Sequence, residues 1–201
     1  MNIWNSIKNI LKNKNENQWT PDKDAVYFHE DSFCQVEFIP RENMFYLKKE
    51  NEDVNQFATE HFDGLGYTDA YARDENPIKI IDKKIVFDKI DNILIELGLE
   101  KIVQVYSGYG STSWKCENTF VYRIEEAEIF ISTEGEIIKD FWIEGFRFFE
   151  DYEIKNKLKK ILLTIGNEFD LLLNDWNITV VVDLKKESQI ENYLNEEPLN
   201  S

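Results

Sequence analysis

Histidine, cysteine, proline and glycine are all scarce in this 201-residue chain, which has two His, two Cys, four Pro and eight Gly. Each scarcity removes a class of protein. His29, His61, Cys34 and Cys116 are scattered and match no zinc-ligand spacing, so no zinc site is expected. Neither cysteine has a CxxC partner and nothing demands that the two pair, so both are expected as free buried thiols. With so little proline and glycine and no low-complexity tract, no stretch reads as a linker, and one domain is expected over residues 1–201. No apolar run approaches the ~20 residues that span a membrane. Residues 2–14 lack the unbroken apolar core and cleavage site of a signal peptide. They read instead as an amphipathic helix, with Trp4, Ile7 and Leu11 on one stripe. A cytoplasmic protein that does not engage a membrane is expected.

Positive charge is also in deficit. Lysine and arginine total 23 against 39 aspartates and glutamates, a net charge of −16. Residues 1–20 are net +2, which leaves −18 on the remainder. Such a field repels nucleic acid, whose binding requires phosphates to be neutralised by basic side chains. It draws in a basic partner and accelerates the encounter. What is abundant is apolar surface: 42% of residues are hydrophobic and 14% aromatic, far from the composition of a disordered chain. A chain of this length buries roughly 70% of its unfolded surface.

Periodicity then sorts the elements. Stretches 25–29 and 33–39 read as strands of a hairpin turning at Glu30-Asp31-Ser32, and Pro40 ends the second. Residues 42–62 read as a helix whose stripe holds Val54, Phe57, Ala58, His61 and Phe62, with Gly64 standing where a left-handed cap would be. Residues 67–73 alternate as a strand does, with Tyr67, Asp69, Tyr71 and Arg73 on one face and small residues on the other. A second helix carries Val86, Ile90, Ile93, Leu94 and Leu97 and stops at Gly98. A strand follows over 101–106, then a meander of strands over 119–124, 128–132 and 136–143. A third helix carries Ile154, Leu158, Ile161, Leu162 and Ile165, and 178–184 is a β-branched strand. From Lys185 a short polar helix follows, fraying after residue 195. Strands in runs with a few helices between them predict an α+β fold, a largely antiparallel sheet packed by three to five helices.

Chemistry is argued down by spacing. "EHFDGLGYTDAYARDEN" (60–76) gathers His61, Asp63, Asp69, Arg73 and Asp74, yet Leu65 and Tyr67 stand where a calcium loop needs oxygen ligands. His61 reads as a helix-end residue bonded to terminal carbonyls. "VYSGYGSTSWK" (105–115) lacks the GK pair of a phosphate loop. It reads as a contact loop, with Tyr109 and Trp114 giving area and Ser111, Thr112 and Ser113 adaptable hydrogen bonds. No nucleophile elbow or Ser/Cys–His arrangement is recognisable, and paired carboxylates carry little meaning among 39 acids. Neither an enzyme, a cofactor nor a metal is expected. Partner contact is expected instead through Tyr67, Asp69, Tyr71, Arg73, Tyr109 and Trp114, residue types favoured at binding hot spots, with Glu125, Glu126 and Glu128 adding charge.

The stretch "CQVEFIPRENMFYLKKE…HFDGLGYTDAYARDE" (34–75), within an acidic, aromatic-rich α+β chain lacking a catalytic signature, resembles the immunity proteins of bacterial polymorphic toxin and contact-dependent inhibition systems. That resemblance implies a chain that binds a cognate, basic toxin domain, often a nuclease, and blocks it with acidic and aromatic side chains. A small-molecule-binding or regulatory domain is the competing expectation, with a carboxylate-based enzyme behind it. A convex acidic surface over a solid core favours the inhibitor; a concave pocket holding one perturbed carboxylate favours the other readings.

Overall fold

The structure, a computed structural model, describes residues 24–145 and 149–199; the helix expected over 2–14 lies outside them. Among the described residues the strands and helices, in chain order, are β1 (Val26–Phe28), β2 (Val36–Pro40), α1 (Met44–Glu60), α2 (Phe87–Glu96), β3 (Glu100–Ile102), β4 (Val105–Ser107), β5 (Trp114–Lys115), β6 (Thr119–Ile124), β7 (Ala127–Glu134), β8 (Ile137–Glu144), α3 (Tyr152–Phe169), β9 (Leu171–Asp175), β10 (Val180–Asp183) and α4 (Glu187–Leu194). A seven-stranded antiparallel sheet, in the order β10-β9-β2-β8-β7-β6-β3, and a three-stranded sheet, β1-β4-β5, make the fold α+β, as the element pattern predicts.

The two faces of the large sheet are covered differently. On the first, Ile90 and Leu94 of α2, Leu158, Ile161, Leu162 and Ile165 of α3, and Ile190 and Leu194 of α4 pack on Phe38, Tyr122, Ile129, Ile131, Phe141 and Leu173. These are the stripes the 3.6-residue period picks out, and every helix residue named here is buried. Two local devices fix α3 on this face. Asp151 caps its N-terminus, accepting from the Glu153 and Ile154 N–H groups at 2.7 and 3.3 Å. Gly166 lets the helix approach so closely that a Cβ there would lie 2.4 Å from that of Leu184. Val86, expected on the α2 stripe, is its N-cap residue instead and is half exposed.

The second face carries two separate covers. Val26 and Phe28 of β1 and Val105 of β4 lie on Val121, Phe130 and Trp142. Leu47 of α1 lies on Ile39 and Leu172. Between the covers the floor is polar, because β2 and β8 present Glu37 and Asp140 there, on the parity of Ile39 and Trp142.

Several expectations give way to this arrangement. The 25–39 hairpin does not form. A tight turn over Glu30–Ser32 and Cys34 at φ +52° take the chain from one sheet to the other, and β1 pairs parallel with β4. Phe28 lies edge-on to Phe130 and Trp142 at 5.5 and 5.4 Å, so β1 covers the large sheet instead of extending it. The strand over 101–106 likewise divides into β3 and β4, one in each sheet. β9 was not foreseen: Leu171, Leu172 and Leu173 are fully buried, so the strand shows no alternation and continues the apolar pattern of α3. The helix over 42–62 exists, but its most deeply buried positions are Leu47, Glu50 and Asn51, one and two turns ahead of the half-buried Val54, Phe57 and Ala58.

Candidate functional site

The segment after α1 turns back and runs antiparallel along that helix, beside the polar floor. His61 caps α1: its Nδ1–H donates to the Phe57 carbonyl at 2.9 Å, and its ring stacks on Phe57 at 3.9 Å. Asp63 then ties a turn, its Oδ1 accepting from the Leu65 and Gly66 N–H groups at 2.9 and 3.0 Å. Those bonds hold its carboxyl below the usual carboxylate range. Gly64, at φ +94°, belongs to this turn and not to the helix cap. His61 and Asp63 are therefore occupied in local structure, and among the described residues no three ligand-type side chains converge on a point.

The turn projects an apolar tip. Leu65 is 98% exposed, and Phe62 and Tyr67, joined by a β-bridge and by ring contact at 5.6 Å, are also exposed. Beyond Tyr67 no strand forms. Alternation alone does not make one, because residues 68–76 find no ladder partner, and each side chain takes a separate course. Asp69 accepts from the Ala70 N–H. Tyr71 turns onto α1, edge-on to Phe57, and donates to Glu50 Oε1 at 3.1 Å. Burial first, and that bond second, push its phenol up to about 12. Arg73 lies over the Trp176 ring at 4.3 Å. The single face expected from Tyr67, Asp69, Tyr71 and Arg73 is thus split between a projecting tip and an exposed strap laid against α1 and Trp176. The strap ends at Ile78, whose N–H and C=O both bond the buried Asn43 amide.

Beside the strap is a cleft of about 530 Å³, open to solvent. Glu37, Asp140, Cys34, Trp176, Arg73 and Lys139 are among the residues lining it. Trp176 Nε1–H donates to Glu37 Oε1 at 2.8 Å, and Ser132 Oγ–H donates to Asp140 Oδ2 at 2.5 Å. Burial holds the Glu37 carboxyl above its ordinary range, against the lowering effects of the Trp176 bond and the nearby Arg73 charge. Burial, and Glu37 next, also push the Cys34 thiol up, so Cys34 is free but poorly ionised.

The remaining expected contact residues lie elsewhere. Tyr109 stacks on His29 at 5.6 Å and lines a second cleft with Ser32 and Glu144. There Ser32 Oγ meets the His29 carbonyl and Glu144 Oε1 at 2.8 and 2.9 Å, while Asp31 N–H donates to His29 Nδ1. The imidazole and hydroxyl are neighbours but are not hydrogen-bonded to each other. Trp114 is exposed on β5, at the border of the small sheet. Glu125 and Glu126 form the two-residue turn between β6 and β7, and Glu128 is bound by Arg123 at 2.6 Å, so it offers little free charge.

Sequence reasoning missed Glu37 and Trp176. Glu37 carried a signal, a carboxylate sharing strand parity with apolar Ile39; Trp176 had none, because it follows the unrecognised β9. The large sheet, its helical layer and the two-part second layer define an α+β protein. Compared with known protein families, curated proteins and solved structures, the chain matches none. No helix among the described residues is long and apolar enough to cross a membrane.

Proposed function

We propose that the chain is a non-enzymatic binding protein of the cytoplasm that neutralises a cognate, basic toxin domain by direct contact. The observation that carries this reading is the tip at Phe62, Leu65 and Tyr67. Exposed apolar side chains on an unstructured loop lose entropy when a partner orders them; here Asp63 has already fixed the turn, so docking is cheaper. The exposed Asp63, Asp69 and Asp74 lie along the tip and strap, which suits an apolar recess with a basic rim.

Co-expression with the C-terminal domain encoded by the adjacent upstream gene is expected to restore growth, and the two chains are expected to co-purify. Leu65→Asp, at a fully exposed position, is expected to keep the fold and weaken the complex by about 2 kcal/mol, roughly 30-fold. The reading fails if the chains neither co-purify nor protect, or if Leu65→Asp binds as tightly as the parent.

A second reading, a small-molecule-binding or regulatory domain, is favoured by one observation: the concave cleft with Glu37 at its base. Binding of a small metabolite in the absence of any protein partner would support it.

A further inference from the structure

Arg73 is placed oddly for an arginine in so acidic a chain. Among the described residues it makes no ion pair within 4 Å; its guanidinium lies over the face of Trp176, with Glu37 close enough to feel its charge. Glu37 is placed just as oddly. It is largely withdrawn from solvent, Trp176 Nε1–H orients one of its oxygens, and the other has no hydrogen-bond or ion-pair partner among the described residues. Both side chains line the same cleft, which has room for another group. Trp176 therefore presents an aromatic face to a cation and, through its N–H, aims a carboxylate into the same space.

Other charges lining the cleft leave that pairing open. Lys79 is bound to Glu75 at 2.6 Å, and Asp140 is held by Ser132. Lys139, Asp74 and Glu134 complete the lining charges. The strap that carries Arg73 is held between Thr68 and Ile78 by side chains alone: by Tyr71 on Phe57 and Glu50, by a 3.4 Å bond from Tyr46 to the Asp74 carbonyl, by the exposed Glu75–Lys79 ion pair and by the Trp176 contact. No backbone ladder secures it.

We propose that the cleft is a receptor for a guanidinium group on a polypeptide partner, and that Arg73 is its intramolecular occupant, displaced when the partner's arginine enters. The incoming guanidinium takes the Trp176 face and reaches the free oxygen of Glu37, which Arg73, tethered at the rim, leaves unbonded. This deepens the partner-binding reading by naming the side chain recognised, but it needs no toxin to be tested.

The test is titration of the full chain with a capped Gly-Arg-Gly peptide, its norleucine counterpart and free guanidinium, followed at the Trp176 indole N–H by NMR. The arginine peptide is expected to shift that resonance saturably, and the norleucine peptide is not. Removing the internal competitor with Arg73→Ala is expected to tighten arginine-peptide binding about threefold, as loss of an exposed cation–π contact predicts. Glu37→Gln, which keeps shape and the Trp176 bond, is expected to weaken it. Equal response to both peptides, or weaker binding by Arg73→Ala, would overturn the proposal; so would saturation by free guanidinium with no added affinity from the peptide. Peptide binding without growth protection would remove the toxin reading and leave the cleft assignment standing. Protection by a chain whose cleft ignores the peptide would do the reverse.

Discussion

Two carboxylates show how surroundings set the behaviour of one functional group. Asp183 is almost wholly buried but receives both terminal nitrogens of Arg41, and that bond holds its carboxyl below the ordinary range. Glu37 is partly buried without an ion-pair partner, and its loss of hydration holds the carboxyl above the range. The sign of the Glu37 effect follows from linkage. A carboxyl whose folded-state pKa is raised favours the fold while protonated, and that contribution is lost as pH rises through the folded value. Glu37→Gln removes the ionisation but keeps an oxygen for Trp176 Nε1–H. The variant is expected to match the parent in unfolding free energy near about pH 4 and to exceed it near about pH 7. Denaturant titration at the two values checks this; a variant less stable at the higher value would show that ionised Glu37 is paired. Nothing in "CQVEFIP" discloses the shift, because it comes from the burial of Glu37 in the folded chain, while its hydrogen-bond partner Trp176 stands 139 positions away.

At the scale of elements, periodicity found what depends on a chain's own neighbours. Helices α2 and α3 carry their apolar stripes where the spacing puts them, since each has one face on a sheet and one in water. The meander over β6, β7 and β8 is legible for the same reason, with two-residue turns at Glu125-Glu126 and Gly135-Glu136. Caps are equally local: replacing Asp151 with alanine is expected to cost about 1 kcal/mol, read as a lowered thermal midpoint with the fold unchanged. Where an element depends on a distant partner, the pattern misleads. Residues 68–73 continue the alternation without pairing, while 171–173 pair without alternating. The 62–67 tip was visible as residue types, but not as a tip, because its exposure depends on the chain folding back along α1.

For the whole molecule, charge is the property that acts at a distance. With a net charge of −16, association with a basic partner is expected to slow as salt rises, with dissociation much less affected. Stopped-flow mixing at several ionic strengths measures both rates, and a salt-insensitive association rate would remove electrostatic steering from the proposed function. Composition determined that charge and the abundance of core-forming residues, and periodicity along the chain the α+β class, because these are sums or short-range periods. Tertiary structure alone decided that β1 lies on the large sheet, and that Tyr71 and Arg73, though exposed, lie against α1 and Trp176 while Leu65 stands out. It also decided that Glu37, Trp176 and Arg73 share one cleft. Those outcomes depend on pairing between segments far apart in sequence, where the burial of one strand is set by the residues that happen to cover it.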